Sequence, residues 1–214
     1  YWHWLDLDRK PSVDVLPLGA DFDGTPRVTR RAEEVPTGAP ALLCVGILEP
    51  RKNQTFLLDV CTALWEEGLS FELHVVGRVN PHFGRPIVAR LKTLRRKFPG
   101  LHYHEAATDA VLARLYARAC ATVYPTLAEG CGLPLLESMW RGVPVVCSDL
   151  PVLRENALGG GCLPVRLNDP VAWKTALRQM LERGSVHARL AEEAVTRPLP
   201  TWGQAAALLR DALT

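Results

Sequence analysis

Two carboxylates eight positions apart, Glu129 and Glu137, bracket the segment Glu129-Gly130-Cys131-Gly132-Leu133-Pro134-Leu135-Leu136-Glu137. Its residue types suit a polar, anionic ligand. Gly130 and Gly132 permit tight turns in which successive backbone N–H groups converge on an anion. Pro134 suits a first helical turn, where a missing N–H costs nothing, so the segment reads as a loop entering a helix. Glu129 then lies in the loop and Glu137 about one turn into the helix. From there the pair can flank a ligand as hydrogen-bond acceptors for hydroxyl groups. Each also has an ordinary reading: Glu137 as a charge complementing the helix dipole, worth ~0.3–1 kcal/mol, and Glu129 as an exposed loop carboxylate. A second segment, Val45-Gly46-Ile47-Leu48-Glu49-Pro50-Arg51-Lys52-Asn53, sets two cations just before another helix. There they oppose the dipole, at a cost unless an anion is bound between them. A solvated Arg51-Lys52 pair is the equal alternative.

Strands must carry these loops. From about residue 40, short apolar runs alternate with longer amphipathic stretches. The pattern predicts strands at 41–47, 71–76, 101–104, 121–124, 143–147 and 162–165. Helices are predicted at 54–67 (with Phe56, Leu57, Val60 and Leu64 on the apolar side), 86–98, 109–119 with Asp109 as its cap, and 133–141. A helical turn at 151–156 and helices at 170–182, 186–195 and 202–213 complete the series. Such alternation predicts an α/β fold, a Rossmann-like doubly wound parallel sheet with helices on both faces. Ligands of such sheets bind at the carboxyl ends of the strands, where both chemical segments fall. The basic face of 86–98 (Arg90, Lys92, Arg95, Arg96, Lys97) reads as a solvated surface.

Residues 1–37 do not fit the scheme. They hold one plausible strand, 13–17, and then a polar Asp/Arg/Thr/Pro stretch with linker chemistry. The expected division is a linker at 1–37, the doubly wound domain at 38–197, and a final helix in 198–214 after Pro198 and Pro200. The opening Tyr-Trp-His-Trp-Leu-Asp is neither a signal peptide nor a native start. The expectation is a fragment of a longer protein.

Composition narrows the function. The 48% apolar and 22% charged content excludes disordered and fibrous classes. A net charge of +2 gives no electrostatic case for nucleic acid or an anionic membrane as the main partner. No apolar run approaches the ~18 residues of a membrane span. The six cysteines form no C-x-x-C pair and sit mostly in apolar runs, as buried small hydrophobes in a reduced compartment do. His102 and His104 share a strand face, but with no third ligand in view the expectation is no metal site.

The Glu129-to-Glu137 segment resembles the Glu-x7-Glu signature of retaining glycosyltransferases of family 4, which have the GT-B fold; Cys131 replaces the usual aromatic. Leu48-Glu49-Pro50-Arg51-Lys52-Asn53 is similar to that family's basic diphosphate loop, and Gly142-Val143-Pro144-Val145-Val146 to the strand after the motif helix. Trp202 and the segment from Val15 to Asp21 also resemble family features, so the likeness covers nearly the whole chain. It implies the donor-binding, C-terminal half of a two-domain enzyme, the other half being absent. Arg51 and Lys52 would neutralise the diphosphate of a nucleotide-sugar, and Glu129 would accept bonds from donor-sugar hydroxyls. Glu137 would hold the ribose. Gly130, Cys131, Gly132 and Leu133 would contact sugar and phosphates, while Gly46, Gly77 and Arg78 would line the cleft. Ile47 stands where many relatives have Arg or Thr, which shifts phosphate binding onto Arg51 and Lys52.

The implied reaction moves a sugar with retention from a nucleoside diphosphate sugar (GDP- or UDP-linked) to an acceptor hydroxyl, without a metal or other cofactor. The implied partners are that donor and an acceptor glycan or lipid-linked sugar reached through the missing N-terminal domain. No nucleic acid is implied. The implied setting is cytoplasmic, with peripheral association of the full-length enzyme at the inner face of the membrane. Two alternatives stand beside this reading: a non-catalytic nucleotide-binding module and a nucleotide-sugar epimerase of the same architecture. A dehydrogenase is excluded, because Gly46-Ile47-Leu48-Glu49-Pro50-Arg51 is not Gly-x-Gly-x-x-Gly.

Overall fold

The computed structural model describes residues 15–22, 24–30 and 38–213. Its strands are β1 (Ala41–Val45), β2 (Glu72–Val76), β3 (Leu101–His104), β4 (Ala119–Tyr124), β5 (Val145–Ser148) and β6 (Cys162–Val165). All pair in parallel, in the order β3-β2-β1-β4-β5-β6. This is the expected Rossmann-like doubly wound sheet. The helices are α1 (Gln54–Glu66), α2 (Arg85–Lys97), α3 (Asp109–Arg118), α4 (Leu133–Trp140), α5 (Pro151–Ala157), α6 (Pro170–Leu181), α7 (Ser185–Thr196) and α8 (Trp202–Leu213).

The central strands are apolar without alternation because both their faces are covered. On one face, Leu57, Leu58, Val60, Cys61 and Leu64 of α1 pack with Ile87 and Leu91 of α2 and Trp173, Leu177 and Met180 of α6. On the other, Leu135, Leu136 and Met139 of α4 meet Tyr124, Val145 and Cys147. Leu43, Val76 and Tyr116 form a smaller cluster under α3.

Some local expectations change. The strand expected at 41–47 stops at Val45, because Gly46 turns the chain away. Thr108, not Asp109, caps α3: its hydroxyl accepts from the Val111 amide at 3.3 Å, and Asp109 becomes the first helical residue. Of the strand expected at 13–17, Val13 and Asp14 lie outside the described residues. Residues 15–17 are not a strand, and Val15 is exposed. That coil instead binds the domain through the Ala20 amide on the Pro200 carbonyl (2.9 Å), the Val28 amide on the Trp140 carbonyl (3.0 Å), and the Trp140 indole on the Thr25 carbonyl (2.9 Å). Asp21 accepts from the Trp202 amide at 2.6 Å. In the linker's Asp21-Phe22-Asp23 spacing, Asp21 is therefore committed to the start of α8, and Asp23 lies outside the described residues.

Trp173 is fully buried, packs edge-to-face on Phe56 with centroids 5.9 Å apart, and donates its indole N–H to the Arg166 carbonyl at 2.9 Å. Trp173→Ala should cost about 3–5 kcal/mol through the cavity it leaves. Urea unfolding followed by far-UV dichroism checks this, and an unchanged midpoint would contradict the packing described.

Candidate functional site

The strand order reverses between β1 and β4. Their following helices, α1 and α4, therefore leave on opposite faces and open a crevice at the carboxyl ends. The loops entering that crevice are built around close backbone approach. The Gly46 amide donates to the Val76 carbonyl at 2.9 Å, and the Leu48 amide to the Arg78 carbonyl at 2.8 Å. A Cβ on Gly77 would overlap the Gly46 carbonyl oxygen, so only glycine fits. Arg78 contributes its backbone here, with its side chain exposed.

A single 3₁₀ turn (Pro50–Lys52) follows, and Asn53, at φ 56°, reverses the chain into α1. The turn folds Lys52 back over Gly46 and across the crevice. Its ammonium donates to Glu129 Oε2 and to the Tyr124 hydroxyl, each at 2.7 Å. The Tyr124 hydroxyl donates to the same carboxylate oxygen. Lys52 also sits 4.9 Å from the centre of the Tyr124 ring. Arg51 donates to the Ala128 carbonyl at 3.0 Å, pairs with Glu49 at 2.8 Å, and stands 3.6 Å from Glu129. The backbones are joined as well: the Leu127 amide and the Thr126 hydroxyl both donate to the Arg51 carbonyl, at 2.8 and 3.1 Å.

The structure thus brings Arg51, Lys52 and Glu129 together. It also changes the expectation that the two cations need a bound anion, since Glu129 and Glu49 supply the negative charge from within the chain. The two cations differ in access. Lys52 is 11% exposed and held by the cluster, whereas Arg51 is 46% exposed and faces solvent.

Burial alone would raise the Glu129 carboxyl. Hydrogen bonds from Lys52 and Tyr124, with the Lys52 charge, outweigh it and hold the group below its ordinary 4.5. The Tyr124 phenol moves upward through burial and the neighbouring carboxylate. At neutral pH the cluster is therefore an ionised Glu129 receiving two donors on one oxygen. The other oxygen, Oε1, accepts the Gly130 amide at 3.2 Å.

The motif loop closes on α4. Gly132, at φ 73°, is the residue before the helix, and a Cβ there would come within 2.8 Å of both Asn156 Nδ2 and Leu153 Cδ2. Asn156 secures the loop by donating to the Cys131 carbonyl at 2.7 Å, while Cys131 itself is exposed and Leu133 half-buried. No side chain caps α4, and Pro134 occupies its first turn as expected. Glu137 is half-buried on α4, 3.7 Å from Arg141 one turn on.

Tyr124 escaped the sequence reading. Its signal was a lone polar aromatic at the end of an apolar strand, five residues before Glu129. Asn156 left no signal, because it reaches the loop from α5.

Fold and site together define a doubly wound α/β domain with a charged cluster where the strand order reverses, the place at which such sheets bind ligands. The chain belongs to the family described as Glycosyl transferases group 1, whose profile matches residues 39–183. It is 31% identical over 161 residues to the serotype-specific mannosyltransferase WbdA of Escherichia coli, covering 72% of this chain and 20% of that protein. It is 25% identical over 225 residues to the D-inositol 3-phosphate glycosyltransferase of Corynebacterium glutamicum (strain R), covering 97% of this chain and 52% of that one. Among solved structures, sucrose-phosphate synthase from Thermosynechococcus elongatus superimposes with a TM-score of 0.71 at 22% identity. That match covers 83% of this chain and 45% of the synthase. The chain thus spans from a fifth to about half of the length of these three proteins.

Glu129→Gln should be less stable than the parent at pH 7, with the gap closing in acid. A carboxyl depressed in the fold stabilises above its unfolded value and loses that contribution as pH falls through the folded one. Urea midpoints across pH 3–7 check this, and a gap constant with pH would rule it out.

Proposed function

We propose that the chain is the donor-binding half of a GT-B glycosyltransferase that moves a sugar, with retention, from a nucleoside diphosphate sugar to an acceptor hydroxyl. The observation that carries this reading is the Lys52–Glu129–Tyr124 cluster at the reversal of the sheet, with the half-exposed Arg51 beside it. Transfer places growing negative charge on the departing diphosphate. Arg51, Lys52 and the N-terminal amides of α4 supply positive charge there without a metal. Lys52 and Tyr124 occupy Oε2 of Glu129, which turns Oε1 toward hydroxyls of the donor sugar. Glu137 serves the nucleotide ribose. Gly130, Cys131, Gly132 and Leu133 contact sugar and phosphate, and Gly46, Gly77 and Arg78 line the cleft.

The relatives named as mannosyltransferases include the O-antigen chain enzyme RfbU of Salmonella typhimurium, 32% identical over 140 residues. Their names support a mannosyl group as the one transferred; GDP or UDP as its carrier, and an acceptor glycan or lipid-linked sugar in cell-surface polysaccharide synthesis, complete the proposal. Among the described residues no helix is long and apolar enough to cross a membrane. The acceptor is reached through a second domain, without which this chain binds donor but does not transfer it.

Calorimetric titration of the chain with UDP-, GDP- and dTDP-sugars tests the donor assignment. One nucleotide class should bind, and Arg51→Ala should weaken it about tenfold or more, the loss of a charge-assisted phosphate contact. Binding to none of them, or binding indifferent to Arg51, would overturn the assignment. In the two-domain enzyme, Glu129→Ala should abolish transfer while leaving nucleotide binding largely intact. Unchanged turnover would remove Glu129 from the chemistry.

A further inference from the structure

The parallel register of β2 and β3 sets His74 beside His102 and Val76 beside His104. Glu72, two residues before His74, shares its face. The third ligand that the sequence did not show for His102 and His104 is thus supplied by β2, and a fourth group with it. One donor atom each from Glu72, His74 and His102 lie within 4.8 Å of one another. His74 Nε2 is 3.0 Å from Glu72 Oε2, and His74 Nδ1 is 3.1 Å from His104 Nε2. The three rings stack, with centroids 4.6 Å (His74–His102) and 5.4 Å (His74–His104) apart. His74 is buried, while Glu72, His102 and His104 are half-buried at the edge-strand side of the sheet, which leaves an ion a route in.

We infer that Glu72, His74 and His102 form a binding site for a divalent transition-metal ion such as Zn²⁺, separate from the nucleotide-sugar crevice. Ligands bonded at 2.0–2.2 Å to a tetrahedral ion sit about 3.4 Å from each other, close to the 3.0 Å now separating His74 from Glu72. The half-exposed His102 completes the set by turning its ring about χ2, a soft torsion. His74 then binds through Nε2 and keeps Nδ1–H on His104 Nε2, the outer hydrogen bond that metal-bound imidazoles ordinarily carry. Solvent takes the fourth position. Two imidazoles and one carboxylate select Zn²⁺, Ni²⁺ or Cu²⁺ over Mg²⁺ or Ca²⁺. Two cations work against the site and set its strength: Arg118, which donates to Glu72 Oε2 at 3.1 Å, and Arg95, whose charge reaches His104.

The test is calorimetric titration of the tag-free chain with Zn²⁺ and, separately, Mg²⁺. One Zn²⁺ should bind per chain and Mg²⁺ should not. His102→Ala, a half-exposed position, should weaken Zn²⁺ at least about tenfold, and His104→Ala by about 10- to 100-fold as an outer partner. Thermal melts without metal confirm that each variant folds. Loading with Co²⁺ gives an independent readout: the visible spectrum should show nitrogen and oxygen ligation. A thiolate charge-transfer band would place the ion on a cysteine and overturn the site, as would Zn²⁺ binding unchanged in His102→Ala.

Discussion

The arrangement of the domain depends on one topological fact: β1 and β4 lie side by side although two strands and three helices separate them in sequence. Crossovers in parallel sheets are right-handed. The chain therefore winds one way from β1 to β3 and the other way from β4 to β6, putting α1 and α4 on opposite faces. Between their departures the loops cannot cover the strand ends, so the crevice there is forced by winding. What the local sequence adds is the means to furnish it: glycines at 46 and 77 where two loops touch, and a left-handed Asn53 that turns a basic 3₁₀ segment inward.

The furnishing also answers an electrostatic problem. Cations ahead of α1 oppose its dipole, and Lys52 is largely withdrawn from water. An isolated buried charge would be costly. Glu129, arriving from the far side of the crevice, offsets that charge, and Tyr124 shares the same oxygen. The two loops are thus tied by charge and by backbone before any ligand arrives. Lys52 is thus already oriented, while Arg51, though paired with Glu49 and the Ala128 carbonyl, stays half in solvent. Under the function proposed above, that difference would let the site hold its shape and still grip a diphosphate.

The fold was legible because fully covered parallel strands leave continuous apolar runs, and amphipathic helices leave a 3.6-residue pattern between them. The motif loop was legible because glycine and proline have few backbone roles at a strand–helix junction. What stayed hidden was pairing across elements. Nothing near Lys52 announces Tyr124, seventy-two positions away, and Asn156 holds the Cys131 carbonyl from a different helix. The Thr108 cap was missed for a narrower reason. Thr and Asp both cap helices, and only the backbone shows which of two neighbours stands outside the first turn. The histidine cluster needed register: His74 and His102 belong to separate strands, and a slip of one residue would have sent the two rings to opposite faces.

That cluster is not mechanically remote from the crevice. The strands carrying it end together, where the Gly77 amide donates to the His104 carbonyl at 3.0 Å and the Tyr103 hydroxyl donates to the Gly77 carbonyl at 3.2 Å. Gly77 is also the residue whose bare Cα lets the Gly46 carbonyl approach. Edge strands are the least restrained part of a sheet, because they have a neighbour on one side only. A ligand that fastened β3 to β2 would therefore stiffen the strand end against which the Gly46 loop rests. Its effect would reach the loops around Lys52 and Glu129 through position, with no ligand atom entering between them.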